Sequence, residues 1–127
     1  MGYCDYGLCV TSMSLMFGNA VKFNQNITSW NTSSVTSMYS MFSGARNFNQ
    51  DISSWDTSNV NDMSYMFYDA SNFNQTISTW TGSAATTPQH SMFSGATQFV
   101  SKWVCDNSYG NGPASSCNTI KNTYVPP

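Results

Sequence analysis

The stretch Asn47-Phe48-Asn49-Gln50-Asp51-Ile52-Ser53-Ser54-Trp55 returns 25 residues later as Asn72-Phe73-Asn74-Gln75-Thr76-Ile77-Ser78-Thr79-Trp80. It stands 25 residues earlier as Lys22-Phe23-Asn24-Gln25-Asn26-Ile27-Thr28-Ser29-Trp30. Around it, Phe17, Phe42 and Phe67 keep the same step and reach Phe93 after 26, and Phe23, Phe48 and Phe73 lead to Phe99 in the same way. Met13, Met38 and Met63, then Met16, Met41, Met66 and Met92, follow suit, so all eight phenylalanines and seven of eight methionines fall on four columns. A disordered Asn/Ser/Thr tract keeps composition but no fixed step, so a repeat architecture is expected.

The two halves of the unit differ in period. Val60, Met63, Met66, Phe67 and Ala70 follow steps of 3, 3, 1 and 3, one stripe of a helix. Ser58 or Asn59 is placed to cap it, Asp62 suits its positive end, and Gly44 and Gly95 stand where such a helix stops. Gln50 to Trp55 is too short for a helix and reads as a brief strand. Strand, turn, helix and return make one coil of a solenoid, which buries its apolar face only by stacking. The fold expected is therefore an α/β, right-handed solenoid of about 25-residue coils. Each coil has one short parallel strand and one short helix. Ile27, Ile52 and Ile77 and Trp30, Trp55 and Trp80 form columns in its core. Asn24, Asn49 and Asn74 recur beside core Phe. Carrying both donor and acceptor, they suit a structural ladder that satisfies backbone groups at the bends, with ligand contact as the rival. The division expected is an N-terminal cap over residues 1–12, about 3.5 repeat units over 13–99, and a C-terminal cap and tail over 100–127.

Composition removes several classes of function. Only ten residues are charged, with no Glu and a net charge of −2. Four scattered cations cannot follow a phosphate backbone, so no nucleic-acid partner is expected. No apolar run reaches the roughly 20 residues of a membrane span. Residues 1–20 hold no Lys or Arg, unlike a secretory signal, which points to a removed leader or a segment of a longer protein. Leu, Ile, Val and Phe supply about 17% of the chain, below the roughly 20% expected of folded domains, so Met, Trp and Tyr must complete the core.

Cys4 and Cys9 precede the repeats, and Cys105 and Cys117 follow them. Their spacing does not fit a zinc site, so no metal or other cofactor is expected and disulfides are. Three connectivities are open, of which Cys4–Cys9 with Cys105–Cys117 is the simplest. Disulfides imply an oxidising compartment. His90 is the only imidazole, it sits in the irregular third repeat beside Pro88, and no nucleophile elbow accompanies any Ser. It reads as a solvated loop residue, and no catalytic residue is expected. Asp51 and Asp56 are replaced by Asn26/Asn31 and Thr76/Thr81 in the other units, and read as turn residues.

What remains is surface. Thr28, Ser53 and Ser78, with Ser29, Ser54 and Thr79, make a nearly uncharged hydroxyl face, and Tyr39, Tyr65 and Tyr68 lie off the core stripe as candidate anchors. The run 41–67, from Met41-Phe42-Ser43-Gly44-Ala45 through Ile52-Ser53-Ser54-Trp55 to Tyr65-Met66-Phe67, resembles the repeat of BspA-like leucine-rich-repeat surface proteins, also called mycoplasma-type lipoprotein repeats. The likeness covers roughly residues 13–99. It implies a leucine-rich-repeat-like solenoid on a secreted or cell-surface protein, active in adhesion or protein binding, with no catalytic residues to carry over. The function expected is thus a non-enzymatic module that binds a protein partner or builds a larger assembly. The alternative is a glycan- or ice-lattice reader using the Ser/Thr face.

Overall fold

A computed structural model describes residues 9–107 and 109–127. It corrects the expected architecture: among the described residues no solenoid of strand-plus-helix coils forms. Among the described residues the helices are α1 (Ser83–Thr86) and α2 (Thr97–Lys102), with one 3-10 turn at Ala114–Ser116. The strands β1 (Trp103–Val104) and β2 (Thr119–Ile120) form one antiparallel pair, with Trp103 opposite Ile120. The remainder is turn and extended chain, marked by isolated parallel bridges from Ser12 to Ser37 and Ser37 to Asp62 and an antiparallel one from Asn107 to Gly112. The protein is a small, mostly loop domain.

The physical reason lies in the backbone. The stripe 60–70 is buried as a helix face would be, but Tyr65 and Asp69 take φ of 58° and 55°, and an α-helix does not pass through the left-handed region. The turns are tight: Met66 N–H donates to Met63 O, and Tyr68 N–H to Tyr65 O. The intervening N–H groups leave the segment altogether. Tyr65 donates to His90 O, Phe67 to Met92 O and Asp69 to Ser94 O, at 2.8–3.0 Å. The expected strand at 50–55 yields for a related reason. Asp51 Oδ1 accepts the Ser53 N–H and Trp55 N–H turns back to Ile52 O, so local bonds displace a ladder.

Successive repeats are laid over one another by these sideways bonds. Met13 N–H reaches Ser37 O and Met38 N–H reaches Asp62 O; Phe17 reaches Met41 O and Phe42 reaches Met66 O, each at 2.9 Å. Phe17, Phe42, Phe67 and Phe93 accordingly sit 5.7–5.8 Å apart ring to ring, nearly parallel. Phe23, Phe48, Phe73 and Phe99 stack at 5.8–6.0 Å. Trp30 and Trp55 lie 6.5 Å apart at 4°. Trp55 Nε1 donates to Ile27 O and Trp80 Nε1 to Ile52 O, the same bond one repeat on. The central members of each column are wholly buried, whereas Phe17, Phe23 and Trp30 in the first repeat are half-buried.

The last repeat is closed differently. Ser91 N–H donates to Asn111 Oδ1 and Phe93 N–H to Gly110 O, so the loop after β1 supplies acceptors where another repeat would otherwise stand. A disulfide between Cys105 and Cys117 ties that loop down, and Trp103 is buried while Val104 stays exposed. Cys9 is also disulfide-bonded; Cys4, and with it the expected Cys4–Cys9 pairing, lies outside the described residues.

Candidate binding surface

Four aromatic side chains meet on one face of the turns. Tyr65 is central: its ring packs edge-to-face against Tyr39 at 6.0 Å, Tyr68 at 5.6 Å and His90 at 5.2 Å. Tyr39 and Tyr68 are 39% and 38% exposed, and His90 is exposed too. The backbone brings them together. Tyr65 N–H donates to His90 O, and Leu15 N–H donates to Tyr39 O, which places the exposed Leu15 beside the group. The position Tyr65 occupies is left-handed in every repeat, with Leu15 at φ 63°, Ser40 at 53° and Ser91 at 50°. A bulky aromatic there costs roughly 1–2 kcal/mol of backbone strain. Tyr39, Tyr65 and Tyr68 are the anchors the sequence suggests; His90, expected as a solvated loop residue, is exposed and meets them through Tyr65. Counting the extra residue in the third repeat would have found it, because Ser14, Tyr39, Ser64 and His90 share one position.

The hydroxyl face looks outward less than its composition suggests. Thr28 Oγ1 donates to Asp51 O, Thr32 Oγ1 to Asp56 O and Thr57 Oγ1 to Thr81 O, joining repeat to repeat. Thr32 and Thr57 are buried, while Thr28, Ser53 and Ser78 are half-buried. Ser53 and Ser58 donate to Asp51 and Asp56 Oδ1. Those side-chain bonds, with the backbone N–H bonds of the same serines, hold both carboxyls below their ordinary range.

The Asn column is a set of acceptors between repeats. Asn24 Oδ1 accepts the Asn49 N–H at 2.8 Å and Asn49 Oδ1 accepts the Asn74 N–H at 2.9 Å. Gln50 and Gln75 Nε2 donate to the same two oxygens. The series ends at Asn74, whose buried Oδ1 has no protein partner because Val100 N–H turns into α2 and bonds Ala96 O. Asn24 and Asn49 are exposed.

A pocket of about 150 Å³ at the C-terminal end is lined by Phe93, Val100, Trp103, Cys105 and Lys121 among others. A shallow polar notch gathers Arg46, Asp69, Ser71 and Gly95. Among the described residues no three His, Cys, Asp or Glu side chains gather as metal ligands would, and no helix is long and apolar enough to cross a membrane.

Residues 8–106 match the model of the family described as Mycoplasma protein of unknown function, DUF285. The chain belongs to the DUF285 family. The matched segment holds all the Phe columns and the whole aromatic cluster. No curated protein and no solved structure matches the chain.

Proposed function

We propose that this DUF285 chain is a non-enzymatic, secreted or cell-surface module that binds a protein partner in adhesion or assembly. The observation that carries the reading is the Tyr39–Tyr65–Tyr68–His90 cluster, where rigid aromatic area is exposed on an otherwise weakly charged surface. Tyrosine offers large contact area at low entropy cost and is favoured in binding surfaces. The disulfides suit an oxidising compartment, and the likeness of the repeat to that of BspA-like surface proteins points the same way. The Ser/Thr face is a poorer candidate, because many of its hydroxyls already donate within the protein. The test is a comparison of wild type with Y39A/Y68A, two exposed positions whose truncation spares the core. A partner retained by wild type and released by the double variant supports the reading. Equal retention contradicts it.

A further inference from the structure

One set of backbone groups joins each repeat to the next. On one side of a junction, carbonyls at alternate residues accept from the repeat before, as Ser37, Tyr39, Met41 and Ser43 do. On the same side two N–H groups reach back, Asn47 to Val21 O and Asn49 to Asn24 Oδ1. Stepping 25 residues back gives the first repeat's version of that side: the carbonyls of Ser12, Ser14, Met16 and Gly18 and the N–H groups of Lys22 and Asn24. Among the described residues none of these six groups has a hydrogen-bond partner. The side chains agree with the backbone. Leu15 and Val21 are 60% and 48% exposed, and Phe17, Phe23 and Trp30 are half-buried where Phe42, Phe48 and Trp55 are buried. The other end is closed: Gln89, Ser91 and Phe93 N–H donate to Asn111 O, Asn111 Oδ1 and Gly110 O, so the disulfide-tied loop engages the donors of the last repeat.

We propose that the open edge of the first repeat docks a repeat of this same 25-residue pattern carried by another polypeptide. A row of unpaired N–H and C=O groups is a template for a further backbone, and the existing junctions show what fits it. The incoming repeat supplies N–H groups at alternate residues to the carbonyls of Ser12, Ser14, Met16 and Gly18, an Asn Oδ1 to the Asn24 N–H, and Phe rings to Phe17 and Phe23. Residues 1–8 hold no Phe and are far fewer than the 25 of a unit. A second copy of this chain is a poor occupant, because the loop engages its last donors and its own first edge offers four carbonyls against two N–H groups. Lys22 is the one charged residue between positions 10 and 31, so backbone bonding and apolar burial carry the contact rather than charge. The proposal goes beyond the protein-binding reading and uses none of the Tyr65 cluster.

The experiment titrates the nitrogen-15-labelled full chain with a synthetic peptide of residues 36–60, one unit of the pattern, and follows amide NMR signals and the anisotropy of dye-labelled peptide. The peptide is expected to bind saturably, with little dependence on salt, and to move the Lys22 and Asn24 amides. An F42S/F48S peptide should bind about tenfold more weakly or not at all, having lost both rings. An N49A peptide should leave the Asn24 amide unmoved. In the chain itself, L15K/V21K changes two exposed side chains of the edge and should weaken binding about tenfold, while Y109S, on the exposed loop at the far end, leaves it unchanged. Absence of saturable binding by about 1 mM peptide, equal binding of the F42S/F48S peptide, or indifference to L15K/V21K overturns the proposal. Sedimentation of the chain alone is the companion measurement: self-association abolished by L15K/V21K makes a second copy the occupant and also overturns it. Signals moving at Tyr65, Tyr68 and His90 instead of the first repeat overturn it as well, yet leave the protein-binding reading standing.

Discussion

Replacing Phe23 and Phe48 separately by alanine should produce unequal damage, although the two residues occupy the same place in the repeat. Phe48 is wholly buried, 4.0 Å from Phe42 and stacked between Phe23 and Phe73 at 5.8 and 6.0 Å. Its truncation removes transfer energy and leaves a cavity walled by rings on three sides, which costs about 3–5 kcal/mol. Phe23 is half-buried, packed on Phe17 at 3.8 Å and on Phe48 alone along the column. Solvent already reaches its outer face, so its loss should cost about 2 kcal/mol. For a domain of this size the corresponding falls in melting temperature are roughly 12–20 °C and about 8 °C. Urea unfolding followed by tryptophan fluorescence measures both, provided the slope m is unchanged. Equal costs for the two variants would refute the stacking, because independent units would each lose the same amount.

Three further expectations follow from single contacts. N49A removes the oxygen that accepts from Asn74 N–H and Gln75 Nε2 and should cost about 1–2 kcal/mol, whereas N49D keeps an acceptor and should cost less; urea midpoints rank them, and the reverse order counts against the Asn column. At Gly44, φ is +75° and an added Cβ would lie 2.5 Å from Asn19 Oδ1, so G44A should cost about 1–2 kcal/mol and N19G should recover part of it in a double-mutant cycle; independent effects would contradict the contact. Asp51 and Asp56 have carboxyls lowered from an ordinary 3.8 by their serine bonds, so the stability they contribute is present above about pH 4 and is lost as pH falls through their folded values. D51N/D56N, which copies Asn26 and Asn31, should therefore leave neutral-pH melting nearly unchanged and flatten the decline measured in acid.

The sequence made some of this legible and hid the rest for identifiable reasons. The step of 25 placed Phe42 over Phe17 and Asn49 over Asn24, because side-chain identity repeats only where the environment repeats. It misassigned the backbone between them. A spacing of 3, 3, 1 and 3 suits an α-helix, but a chain of tight turns with left-handed residues buries the same positions. Nothing about Tyr65 or Leu15 announces a positive φ, since neither residue type prefers it. Asp69 and Asn19 were better clues, and Gly44 and Gly95 sit at their counterpart position. The tyrosines could be placed off the core stripe, while their meeting with His90 depended on where the extra residue of the third repeat was absorbed.

Through-hydrogen-bond scalar coupling on uniformly labelled protein tests the cross-repeat bonding most directly. The amide nitrogen of Phe42 should couple to the carbonyl carbon of Met66, 24 residues ahead. Coupling instead to Met38, four residues behind, is the mark of a helix and would contradict the account.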